Sequence, residues 1–217
     1  MTEEKNKGLG PELEDALASR ARLLGAGAAR EVPLAEIPVE DRLAALCLQP
    51  RCPNYGLAAS CPPNVGGPPE LRRLLARAKG ALAVGLDVPT EVLLSEQSRE
   101  VFALLHEIVA GVEQEARKRG FPDSLALAGG SCKKIFCSDQ PDCQVVVRGG
   151  PCRFPDLARP SLSGFGVNVD RMSRAAGLEM AWVTHGSPAE GSKLSSVRGL
   201  IVVAPDADAA FRGGHNR

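Results

Sequence analysis

Ala81-Leu-Ala-Val-Gly-Leu-Asp-Val88, followed by Glu100-Val-Phe-Ala-Leu-Leu-His-Glu-Ile-Val-Ala-Gly-Val112, decides the fold class. The first stretch is apolar from Ala81 to Leu86 and has the length of a buried strand. In the second, Val101, Leu104, Leu105, Ile108 and Val112 recur at i, i+3, i+4, i+7 and i+11. That period predicts a helix over Glu100–Arg119, stopped by Gly120 and Pro122. Working outward, Ser124–Ala128, Glu179–Thr184 and Val197–Ala204 read as further strands. Pro11–Ala29, Val39–Leu46, Pro69–Lys79 and Val169–Ala176 read as helices, with Pro11 in a first turn and Gly80 and Gly177 as stops. Strands alternating with helices imply an α/β or α+β sandwich of about four strands, covered by helices mostly on one face. Two cysteine-rich loops are expected at one edge of that sheet. The organisation expected is an N-terminal helical extension over 1–38, a cysteine-rich domain over 39–206, and a tail over 207–217.

Composition narrows the function. The chain has 217 residues, 26 basic and 26 acidic, with 44% hydrophobic content. Such a balance suits a folded domain and argues against disorder. Zero net charge argues against a nucleic-acid binder, which needs a basic face for the phosphates. No apolar run approaches the roughly 18–20 residues of a membrane helix, and the polar start lacks a signal peptide's apolar stretch. A cytoplasmic location is therefore expected. There thiols stay reduced, so seven cysteines are not naturally disulfides. Gly25-Ala-Gly27 does not follow a predicted strand, so a dinucleotide fingerprint is not supported, and no Walker-type, kinase or serine-hydrolase motif occurs.

All seven cysteines fall in two Gly/Pro-rich segments. Cys47, Cys52 and Cys61 have four and eight residues between them; Cys132, Cys137, Cys143 and Cys152 have four, five and eight. Incidental core cysteines would sit on strands and helices, and a dithiol redox site would show Cys-x-x-Cys. Structural zinc uses tight pairs, two to four residues apart, and no second tight pair exists here. Four thiolates are the usual complement of an iron–sulfur cube, which tolerates looser spacing and proline beside its ligands, as in Cys52-Pro53 and Cys61-Pro62-Pro63. Gly149 and Gly150 before Cys152 would let amides approach cluster sulfides. The spacing favours one or two [4Fe–4S] clusters, with zinc as the alternative. A cluster on the three-cysteine set would leave one iron open to substrate; equally, those three could share a site with a cysteine of the second set.

The residues Cys152-Arg-Phe-Pro, Arg159-Pro-Ser and Gly166-Val-Asn-Val169, preceded by Cys47, Cys52 with Tyr55-Gly56, and Cys61-Pro62-Pro63, occur in order over about residues 40–204. In this the chain resembles a prokaryotic family of predicted metal-binding proteins, DUF2284. It departs from the family pattern in its wider second-set spacing and in Ser163, where many members have Glu. The resemblance implies metal or iron–sulfur binding through the seven cysteines and supplies no reaction.

Around them, Lys133, Lys134, Arg148, Arg153, Arg159, Arg171 and Arg174 could lower thiolate pKa, offset cluster charge or meet an anion. Arg153 and Arg159 are the strongest candidates for cofactor contact because they flank the ligand segment, and Tyr55 could donate a hydrogen bond. His185, in Thr-His-Gly-Ser-Pro, follows a predicted strand; His106 is expected to pack on the long helix. The function expected is that of an iron–sulfur redox or electron-transfer protein, an oxidoreductase if an open iron takes substrate. The alternative is a zinc-stabilised, non-catalytic adaptor. A redox partner protein or a small anionic substrate is the expected partner, with no nucleic acid and no membrane, and homo-oligomerisation left open.

Overall fold

Two ten-residue strands, β2 (Gly80–Pro89) and β4 (Leu194–Val203), pair antiparallel along their whole length, from Gly80 opposite Val203 to Pro89 opposite Leu194. The computed structural model describes residues 8–182 and 194–207. Strand β1 (Ala28–Glu31) adds to β2 and β3 (Leu125–Leu127) adds to β4, both antiparallel, giving a four-stranded sheet of order β1-β2-β4-β3. The fold is α+β.

Alternate residues of the central strands serve two separate cores. Leu82, Val84, Ile201 and Val203 pack with α1 (Pro11–Leu23) and α5 (Ser98–Lys118) on one face. Ala81, Ala83, Leu200 and Val202 pack on the other with α3 (Gly67–Arg77), α8 (Val169–Ala175) and Phe165. Helices therefore cover both faces, not mainly one. The reason is that β2 and β4 are apolar at both alternating sets of positions, so each face needs a cover.

The expected helix over Pro11–Ala29 ends at Leu23. Gly25, at φ 102°, turns the chain, and Ala28–Glu31 becomes β1. The remaining expected helices fall close to their predicted bounds, with a short α2 at Asp41–Ala45 and an unpredicted turn of helix, α4, at Thr90–Leu93. The expected strand over Glu179–Thr184 is not a strand in its described part, 179–182. There Ala181 exchanges hydrogen bonds with Ser196, one to the backbone and one to the hydroxyl, without a continuing ladder. His185, His215 and residues 208–217 of the expected tail lie outside the described residues. No described helix is long and apolar enough to cross a membrane.

The chain leaves the sheet at the end of β3 and comes back to the same place. Ala128 N–H donates to Pro160 O (2.9 Å) and Leu162 N–H to Ala128 O (3.1 Å), closing residues 129–160 into an excursion beside the outer strand. It is not loop throughout: Cys132–Phe136 forms a short helix, α6, and Gln144–Arg148 another, α7. The earlier cysteine segment joins it through Ser161 N–H to Ser60 O (2.9 Å).

Candidate metal centre

Helix α5 fixes the excursion through three polar residues seven apart, which puts them on one helix face two turns from each other. Arg99 Nε donates to Ile135 O (2.7 Å). His106 is fully buried: Arg159 N–H donates to its Nδ1 (3.1 Å), so the ring proton sits on Nε2 and is donated to Gly129 O (3.2 Å). One imidazole thus joins both ends of the excursion. Burial depresses its pKa to about 4, so it is neutral at physiological pH. Glu113, also buried, accepts from Arg159 Nε (2.8 Å) and, through its other oxygen, from Ala126 N–H (2.8 Å) and Arg117 at 3.3 Å. His106 also meets Phe136 edge-on (centroids 5.5 Å apart), and Phe136 stacks on Phe154 (5.4 Å), forming an aromatic wall.

That wall closes a pocket of about 360 Å³. Cys132, Cys137, Cys143 and Cys152 all line it. They reach it from three places along the excursion. Cys132 opens α6 and Cys137 ends it, Cys143 precedes α7, and Cys152 follows the turn at Gly149, whose φ of 63° ends α7 in the left-handed region glycine favours. Phe154 N–H points at Cys152 Sγ (3.4 Å), an amide oriented toward sulfur.

The three earlier cysteines do not line this pocket, but their segment touches it. Cys61 is buried with Ala58 and Cys132 in one small apolar cluster, and the Ser60 hydroxyl accepts from Cys132 N–H (3.3 Å) while lying 3.8 Å from Cys61 Sγ. Cys47 feels Cys52 and Cys61 electrostatically, and Cys132 feels both Cys61 and Cys152. Cys61 is therefore the hinge between the two thiol sets.

Burial governs the thiols. It pushes Cys132 up to about 11, against hydrogen bonds from Ser60 that favour the thiolate, with Cys152 and Cys61 adding to the rise. Cys137 is also raised by burial; nearby Arg153 opposes this and Cys152 and Cys143 reinforce it. Cys47 is raised by burial, then by Cys52 and Cys61. Among the described residues, no group of three or more Cys, His, Asp or Glu side chains is arranged to hold a metal ion. Tetrahedral zinc at its usual bond length needs sulfurs about 3.8 Å apart. The four cysteines together line the pocket of about 360 Å³.

The candidate contact residues divide. Arg153 lines the pocket and donates from Nη1 to Asp142 O (3.3 Å). Arg159 lines it too, but its Nε is committed to Glu113 and its Nη1 to the carbonyls of Pro155 and Ala158 (both 3.0 Å), so this side chain braces the wall. Tyr55 is away from the pocket, under the Arg51 guanidinium at 5.7 Å. Arg148, Arg171 and Arg174 pair with Asp142, Glu40 and Asp170 at the surface. Sequence reasoning passed over Glu113, although a carboxylate one turn past Val109 and next to Val112 on an amphipathic helix was the available signal.

The model of the DUF2284 family, described as a predicted metal-binding protein, matches residues 30–201. This chain belongs to DUF2284. The matched span holds both cysteine segments, the His106–Glu113 face of α5 and nearly all of the sheet. No curated protein and no solved structure matches the chain. Membership of DUF2284 makes it a predicted metal-binding protein, with the metal unspecified.

Proposed function

We propose that this protein carries an iron–sulfur cluster on Cys132, Cys137, Cys143 and Cys152 and acts in electron transfer or redox chemistry in the cytoplasm. The observation that carries this is the lining of a single pocket by all four cysteines of one 21-residue stretch. Four cysteines lining one pocket supply the four thiolates an iron–sulfur cube takes, and their spacing lacks the two tight pairs usual for structural zinc. The remaining wall suits it too. Arg153 and Lys133 sit where they would offset the negative charge of a thiolate-ligated cluster, and the aromatic wall limits water. Thiols raised by burial are protonated when unliganded, so loading releases protons.

Cys47, Cys52 and Cys61 form the second set. A cluster there would have one iron without a cysteine ligand, and that iron is where substrate would bind. Zinc, in a non-catalytic adaptor, is the competing reading.

The test is purification without oxygen, followed by electron paramagnetic resonance of the dithionite-reduced protein. A brown protein with a signal typical of a reduced cluster is the expected result. A colourless, silent protein that contains only zinc overturns the proposal. Cys61→Ser then counts the sites: retention of part of the signal means two centres, and loss of all of it means one centre shared through the Cys61–Cys132 contact.

A further inference from the structure

We propose that the cleft between the two cysteine segments binds a small amphiphilic carboxylate, an organic acid with an apolar body. This rests on the iron–sulfur reading in one respect: it names the class of substrate that would lie beside the thiols.

The cleft encloses about 950 Å³, within the size range of small-molecule sites. Asn54, Gly56 and Leu57, from between Cys52 and Cys61, line one side; residues of 130–147 line the other, with the start of α5 across the end. Cys143 and Lys133 line both this cleft and the four-cysteine pocket. A molecule held here is therefore next to one thiol set and against the loop of the other.

Its chemistry is mixed in a particular way. Arg99 uses Nε on Ile135 O, and its two Nη nitrogens make no hydrogen bond among the described residues. Lys134 is exposed and has no ion pair among them. Ser131 is 3% exposed, lines the cleft, and its buried Oγ has no hydrogen-bond partner. A buried hydroxyl without a partner is a group awaiting one. A guanidinium fork, an ammonium and a hydroxyl are the donors a carboxylate accepts from. Two acids, Glu96 and Asp142, also line the cleft, and Asp142 is tied to Arg148 at 3.2 Å. Their presence favours a monoanion over a phosphate dianion. The apolar half is equally specific: Leu57 and Val147 stand 54% and 62% exposed at the cleft, beside Val146 and Phe102. Asp139 is a further acid near Arg99, and the exposed aliphatic side chains beside the Arg99 and Lys134 cations fit a ligand with a charged head and an apolar tail.

The probe is octanoate, titrated calorimetrically into the full chain purified anaerobically with its metal. One saturable site is expected, with octylammonium showing none. Lys134→Glu and Arg99→Gln should each weaken octanoate binding about tenfold or more, the usual scale for a charge-assisted hydrogen bond. Ser131→Ala should weaken it without lowering the thermal midpoint, because the hydroxyl supports nothing else in the fold. Equal binding of octanoate and octylammonium, or variants that bind like the parent, overturns the proposal. Iron and sulfide are measured on the same samples. Metal present without octanoate binding removes the cleft assignment alone; octanoate binding in a metal-free protein removes the iron–sulfur reading alone.

Discussion

The sheet and the cysteine excursion are held together by different forces. The sheet has two apolar cores, one on each face, and its central strands are paired over ten residues. The excursion at 129–160 has almost no core. It shares a small apolar cluster with the earlier cysteine segment, Ala58 and Cys61 packing with Cys132, with Phe136 and Ala158 beside it. What holds it otherwise is polar: Arg99, His106 and Glu113 on α5, and Lys133 Nζ donating to the carbonyls of Cys137 and Gln140 (both 2.7 Å). The sheet is specified by burial, the excursion by a few hydrogen bonds and, on the proposed reading, by the metal its thiols would hold. Liganding energy in such a segment is folding energy.

The largest expected effect separates the halves outright. Chelating the metal, or changing Cys152→Ser, should abolish amide protection across 129–160 while β2 and β4 keep theirs. Hydrogen exchange with and without metal reads this directly, and uniform loss across both regions would show that the division is wrong. Next, Glu113→Ala leaves the Arg159 guanidinium buried without its carboxylate and should cost about 3–5 kcal/mol, the range for breaking a buried pair. Urea unfolding measures it, and a loss below about 1 kcal/mol would mean that Arg159 is not braced as described. On the sheet side, Leu200→Ala removes a fully buried side chain and should cost about 2–5 kcal/mol. That loss should be the same in metal-loaded and metal-stripped protein, because the side chain lies in the sheet core.

A smaller effect tests the joint between the halves. His106 has its folded-state pKa depressed to about 4, below the ordinary value of 6.5. Its neutral form stabilises the fold, fully so above pH 6.5. Between pH 6.5 and 4 the unfolded chain binds more protons, so stability falls as pH drops through that window. The loss amounts to at most roughly 3 kcal/mol. Comparing the parent with His106→Gln isolates it, since the glutamine does not titrate; equal slopes in that window would place the imidazole elsewhere than between Gly129 and Arg159.

The same contrast explains what the sequence disclosed. Burial writes itself into periodicity, so α5, β2 and β4 were legible from apolar spacing. The cover on both faces was legible too, in the unbroken run Ala81–Leu86, but one-sided cover was the expectation drawn from element order. β1 was hidden because Ala28 and Ala29 read as the end of a helix, and only the turn at Gly25 releases them into the sheet. The cysteines announced themselves by type and clustering. Their split into three and four was legible too, and the four do line one pocket; what spacing did not disclose is that Cys61 of the first set packs against Cys132 of the second. Such closeness depends on where the chain re-enters the fold, at Ala128–Ser161. Arg159 shows the opposite case. Its position next to the ligand segment suggested contact with a cofactor; it lines the pocket, and its Nε and Nη1 also brace Glu113 and two carbonyls, a partnership set by a residue 46 positions away.

The most direct measurement is elemental: iron, acid-labile sulfide and zinc per chain in protein purified without oxygen, with the Cys132→Ser, Cys137→Ser, Cys143→Ser and Cys152→Ser variants alongside. Iron and sulfide in equal amounts in the parent, falling in each of the four variants, is the result expected. Zinc without sulfide in the parent, or iron unaffected by all four substitutions, would contradict it.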